Sequence, residues 1–131
     1  MAANTLSWSL LYLSSHPDTQ QKLQAEIDAV VGSSRLPSIS ERSKMPYTEA
    51  VIAETLRLSN VVPLGVPHRM TCDKLFHGYD TLFLFLTAIF QLFEVLPDPE
   101  SKIKPDFEAD NWFFLVPKPF KVIMRARNSS Q

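Results

Sequence analysis

The chain has 131 residues, 13 of them basic and 14 acidic, for a formal net charge of -1. A chain of this length builds one core at most, and its even charge leaves no field to steer it onto nucleic acid or an anionic membrane. A single cysteine, Cys72, excludes an internal disulfide and any cysteine-rich metal cluster.

Residues 4 to 15 are rich in leucine, and Leu6, Leu10 and Leu13 fall near helical spacing beside Trp8 and Tyr12, which predicts a buried helix. His16-Pro17-Asp18 starts a second helix, because proline occupies a position that needs no amide donor and Asp18 sits near the positive end of the helix dipole. Leu23, Ile27, Val30 and Val31 share one face of it, opposite polar Gln20, Lys22, Gln24 and Asp28, and Gly32 ends it. His16 has no ligand partner at metal-binding spacing and reads as a cap or surface residue. Ser33 to Pro37 form a loop, Ser40 caps a short turn through Arg42, and Pro46 opens a third helix. On that helix Glu54 and Arg57 stand three apart, a spacing that puts a carboxylate and a guanidinium on one face for a bidentate pair. With Val51, Ile52, Ala53, Leu56 and Leu58 around it, the pair is expected to point into protein.

From Asn60 to Arg69, Pro63, Gly65 and Pro67 block helix continuation and force an extended, turning path. Met70 to Asp80 reads as a strand and turn, with Gly78 at the turn. Leu82, Phe85, Leu86, Ile89, Phe90 and Phe93 then recur at helical spacing, in a segment apolar nearly all round, as in a helix buried within a larger core. The apolar run falls short of the roughly 20 residues that cross a bilayer, and no secretory signal follows Met1. Leu96-Pro97-Asp98-Pro99 terminates the helix, residues 100 to 110 are polar loop, and residues 111 to 127 read as two short strands interrupted by Pro117 and Pro119. The expected fold class is therefore mainly α with a few short β-strands.

An arbitrary Glu-x-x-Arg is a weakly stabilising surface pair, but here the surrounding residues add information. Met45-Pro46-Tyr47-Thr48-Glu49-Ala50 leads into Glu54-x-x-Arg57, and Asn60, Pro63, Gly65, Pro67, His68 and Arg69 follow. Together they resemble the K-helix region of the cytochrome P450 family, in its microsomal drug- and steroid-oxidising group. Asn4-Thr-Leu-Ser-Trp8, His16-Pro17 and Gln24-Ala-Glu-Ile-Asp28 resemble the end of that family's I helix and its J helix, Phe76-His-Gly-Tyr79 the strand that follows the K helix, and Leu82 to Gln91 its L helix.

The resemblance implies a partial P450 fold in two stretches. Residues 1 to 80 carry the I-helix end, the J and K helices and the following strand; residues 81 to 131 carry the L helix and C-terminal strands. It implies heme as cofactor, oxidation of an apolar small-molecule substrate with molecular oxygen, a reductase partner, and a place at the endoplasmic reticulum membrane surface. By position, Glu54 and Arg57 are the structural pair, His68 matches a heme-propionate ligand, and Val62, Leu64, Val66, Phe113 and Phe114 match residues that line the substrate pocket.

The chain also departs from the family. After Asp80 the match jumps: the meander and the loop that carries the axial cysteine are missing, and Thr81-Leu82-Phe83 resumes inside the L helix, which in the family begins just after that cysteine. Thr5 lies later in the I helix than the family's oxygen-activating threonine. Cys72 has Asp73 beside it, which raises rather than lowers a thiol pKa, and it reads as a strand cysteine rather than an iron ligand. These departures predict no catalytic residue, no metal site and no stably bound heme on this chain, which reads as a truncated, internally deleted member of the family, from a splice form or an incomplete gene model. The alternative is a non-enzymatic interaction protein that binds an apolar partner, or itself, through an uncovered Leu82 to Phe93 face.

Overall fold

A computed structural model describes residues 2–62, 78–100 and 115–127. Among the described residues there are four α-helices, α1 (Ala2–Ser15), α2 (Pro17–Val30), α3 (Pro46–Ser59) and α4 (Gly78–Leu92), a 3₁₀ turn (Ile39–Lys44), and two strands, β1 (Phe93–Pro97) and β2 (Val122–Ala126). No helix among them is long and apolar enough to cross a membrane.

The first three helices start and stop where local chemistry requires. At the end of α1, where carbonyls lack intrahelical partners, Ser14 and Ser15 donate their hydroxyls to Leu11 O. Pro17 then opens α2 at a position that costs no hydrogen bond. Past its end, Gly32 adopts φ +73, and its amide and that of Val31 both donate to Ile27 O. Ser38, not Ser40, precedes the 3₁₀ turn: its amide donates to Glu41 Oε2 at 2.9 Å, while Ser40 lies inside the turn. Arg35 pairs with the same Glu41 carboxylate, which holds it below the usual range.

The start of α3 is capped from a different helix. Glu26, on α2, accepts the amides of Tyr47 and Thr48 at 2.9 and 2.7 Å and the Thr48 hydroxyl at 2.7 Å. A carboxylate at this point satisfies two of the orphan amides and complements the dipole. At the other end Asn60 takes the left-handed conformation, φ 32, and its amide donates to Leu56 O. Asparagine tolerates that conformation better than most non-glycine residues.

Helix α4 differs from expectation at both ends. Gly78, expected at a turn, is its first residue, so the helix runs unbroken through Asp80 and Thr81. Phe93, expected as its last inward residue, instead begins β1. β1 pairs antiparallel with β2, Phe93 opposite Ala126 and Pro97 opposite Val122. A short apolar run fits either period, and here the strand wins because a partner lies within reach. One expected C-terminal strand is thus present as β2; the strand expected over residues 70–77 lies outside the described residues.

The main core forms where α1, α2 and α3 close over α4. Leu23, Ile27, Met45, Phe83, Leu86 and Phe90 are each fully buried there, and each aliphatic or aromatic side chain so removed from water contributes roughly 1.5–3 kcal/mol. The apolar L-helix face is therefore largely covered rather than open. Phe85 and Leu92, seven residues apart, remain about half exposed. A second cluster joins Trp8, Leu11 and Val61. Trp8 stacks on Tyr12 with ring centroids 5.4 Å apart and donates its indole N–H to Leu115 O at 2.9 Å.

Long polar side chains seal the passage from α4 to β1. Gln20, expected on the polar face of α2, is buried. Its amide accepts from Val95 N–H at 2.7 Å and donates to Val95 O at 2.8 Å and Leu13 O at 3.1 Å, so it meets Val95 as a neighbouring strand would. Gln24 donates to Phe93 O, Gln91 donates to Gly32 O and Arg35 O, and Arg127 donates to Phe90 O and Gln91 O at the C-terminus of α4.

Candidate functional site

The site is built on α3. Val51, Ile52, Thr55 and Ser59 are buried against the other helices, which leaves Ala53, Glu54, Arg57 and Leu58 outward. Arg57 Nε donates to Glu54 Oε2 at 2.8 Å and Nη2 to Oε1 at 2.6 Å, a bidentate pair. The arginine's hydrogen bonds hold the carboxyl below its usual range, and the carboxylate in turn raises the guanidinium. The pair does not point into protein: Arg57 is 67% and Glu54 54% exposed. Ala53 and Leu58, two of the apolar residues from which the pair was expected to point into protein, are themselves at the surface.

The inner edge of this face lines a cavity of about 360 Å³. Tyr47, Ala50, Val51, Glu54, Thr55 and Leu58 contribute from α3, at the i, i+3, i+4, i+7, i+8, i+11 positions of one helical stripe. Tyr12, Leu13 and His16 close it from the end of α1, and Thr19 from the start of α2. Burial pushes the Tyr12 phenol up. His16 is exposed, and its Nδ1 lies 2.7 Å from Tyr12 O, so with the proton on Nδ1 it caps the last turn of α1.

A second ionic cluster fixes α4. Arg42 donates through Nε and Nη2 to both oxygens of Glu49 at 2.8 Å, and through Nη1 to Asp80 Oδ1 at 2.7 Å. One guanidinium thus ties the 3₁₀ turn to α3 and to the first turn of α4. These bonds, with Glu49 the larger cause, raise its pKa.

Of the residues singled out from sequence, Glu54 and Arg57 come together, and Val62 packs half-buried against the Trp8 cluster. Leu64, Val66, His68, Cys72, His77, Phe113 and Phe114 lie outside the described residues. Among the described residues no three His, Cys, Asp or Glu side chains gather as a metal site. The cavity residues Tyr12 and Tyr47 were missed, although the stripe spacing along α3 was legible. The cap by Glu26 was not, since it depends on how two helices pack.

The cytochrome P450 family model matches residues 2–82. Cytochrome P450 2J2 of Homo sapiens is 48% identical over 116 residues, 84% of this chain and 22% of that protein. Cytochrome P450 2B3 of Rattus norvegicus is 46% identical over 104 residues, 79% of this chain and 21% of that protein. The chain thus spans about a fifth of the length of these relatives. A zebrafish cytochrome P450 structure described with abiraterone superimposes with a TM-score of 0.82 at 22% identity, over 97% of this chain and 44% of that one, and so agrees in fold. From the helix-by-helix order and the extent of the family match, the chain belongs to the cytochrome P450 family.

Proposed function

We propose that this polypeptide is a shortened form or portion of a heme-dependent monooxygenase and does not itself complete the heme site. In the complete family the heme iron activates molecular oxygen, one atom of which enters an apolar organic substrate with electrons from a reductase, at the endoplasmic reticulum surface. The observation that carries the reading of an incomplete site is the start of α4. Asp80, the last residue before the match jumps past the family's axial-cysteine loop, lies inside an unbroken helix, and its carboxylate is engaged by Arg42 at 2.7 Å. A carboxylate held by a guanidinium is not a soft thiolate donor, so these residues do not fit the group. That the family match stops at residue 82, two beyond Asp80, supports the same junction.

Reconstitution with heme, reduction under carbon monoxide and a visible spectrum test this. The expected spectrum lacks the strongly red-shifted band of a thiolate trans to carbon monoxide. A red-shifted band that disappears in Cys72→Ser would overturn the proposal and make Cys72 the ligand. The alternative of an interaction protein rests on Phe85 and Leu92, the part of the L-helix face left exposed. Sedimentation showing a folded monomer at micromolar concentration would remove its basis.

A further inference from the structure

The sheet of β1 and β2 has two outer edges, and they are treated differently. Arg127 N–H donates to Leu92 O at 2.9 Å, so Leu92 and Arg127 form a hydrogen-bonded pair. Antiparallel pairs alternate between bonded and non-bonded. In the register of this sheet, Glu94–Arg125 and Leu96–Ile123 are therefore bonded, whereas Phe93–Ala126, Val95–Met124 and Pro97–Val122 are not. Gln20 gives the same phase, because it takes the N–H and C=O of Val95 from the side of β1 away from β2. The backbone N–H and C=O groups of Val122, Met124 and Ala126 thus point away from β1. Among the described residues β1 is the only strand beside β2, and Ile123, Met124, Arg125 and Ala126 are exposed. Such an edge is a template for a further strand.

We propose that this chain pairs with a second copy of itself, β2 against β2, antiparallel about a two-fold axis at Met124. The outward groups are self-complementary in that register, as a two-fold interface requires. Met124 meets Met124 of the second copy and Val122 meets Ala126 on either side, so every outward N–H and C=O of the strand is bonded. Ile123 and Met124, each 44% exposed in the single chain, are covered, Ile123 by the stem of the opposing Arg125. An axis at Arg125 would set two arginines face to face, and an axis at Ile123 would set Lys121 against Arg125; both would also bond fewer groups. Charge does not call for an acidic partner instead: Arg125 lies 3.5 Å from its own Glu94, and Arg127 is held by Asp28 and the carbonyls at the end of α4. Residues 121–127 contain no proline to block the pairing. A second copy also closes the assembly. It gives one sheet, β1–β2–β2–β1, whose two outer edges are both covered by Gln20, whereas an unrelated strand would bring an open edge of its own.

The test is sedimentation velocity and amide hydrogen exchange of the full chain over a series from micromolar to millimolar concentration. A reversible monomer–dimer equilibrium is expected. As the dimer fills, the Val122, Met124 and Ala126 amides should gain protection, while those of Ile123 and Arg125, already bonded to β1, and of Val95, already bonded to Gln20, hold theirs. Met124→Lys and Met124→Glu each set like charges opposite one another across the axis, and each should weaken dimerisation about tenfold. Mixing the two variants should restore it as a heterodimer, which unfolded variants could not do. Phe85→Ser and Leu92→Ser, on the exposed part of α4, should leave it unchanged. A monomer throughout the series overturns the proposal, and so does protection that rises along α4 rather than at alternate residues of β2. A mixture no tighter than either variant alone, or a dimer lost in Phe85→Ser or Leu92→Ser, overturns it equally.

Discussion

The passage from α4 to β1 and the outer face of α3 both set polar side chains beside apolar ones, with opposite results. At the first, Gln20 inserts its amide so that Val95 N–H and C=O are both bonded, and Gln24, Gln91 and Arg127 take neighbouring carbonyls. At the second, Glu54 and Arg57 satisfy each other and otherwise face water, beside an open cavity. The difference teaches that a polar group's weight in a fold depends on what its loss would strand. An amide that covers buried backbone cannot be replaced by solvent, whereas a surface ion pair can.

The sharpest way to break that comparison is Gln20→Leu. It keeps much of the volume but leaves buried Val95 N–H and C=O without their partner, and is expected to cost about 2–4 kcal/mol in urea unfolding. A loss below about 1 kcal/mol would mean that water reaches the junction.

Acid should separate the two regions next. Glu41 and Glu54 both have folded-state pKa values below the ordinary value, through hydrogen bonds from Arg35 and Arg57 respectively. A depressed carboxylate contributes stability that is present above its unfolded pKa and is lost as pH falls through the folded one. Melting temperature should therefore decline on acidification below the usual carboxylate range. Glu41→Gln should flatten that decline more than Glu54→Gln, because the Glu41 side chain is only 8% exposed and Glu54 is 54% exposed. The reverse order would contradict the contrast.

The smallest effect belongs to Arg57→Ala. If Arg57 were enclosed, its loss would leave an uncompensated charge and unfold much of the chain; exposed as it is, the melting temperature should move by less than about 2 °C. A large drop would show that the pair is enclosed in solution.

Much of this was legible in the sequence. Proline at the start of α2 and α3, Gly32 past α2 and the leucine spacing of α1 mark those helices because each signal is local. The ends of α4 were not legible. Gly78 carries a turn signal that a helix start also accepts, and the alternation of Phe93, Glu94 and Val95 becomes a strand only because residues 122–126 lie alongside. At the site, the spacing of Glu54 and Arg57 foretold their pairing but not their exposure, since which face of α3 turns inward depends on where α1 and α2 pack.

Glu26 has a consequence for the order of assembly. Its contacts to Tyr47 and Thr48 close loops of 21 and 22 residues, whereas those of Gln20 to Val95 span 75. Short closures lose less chain entropy, so the α2–α3 pair is expected to form a nucleus onto which the distant strand docks last. Pulse-labelled hydrogen exchange during refolding reads this directly. The Thr48 amide should gain protection before that of Val95, and simultaneous protection of the two would show that the chain has no such early nucleus.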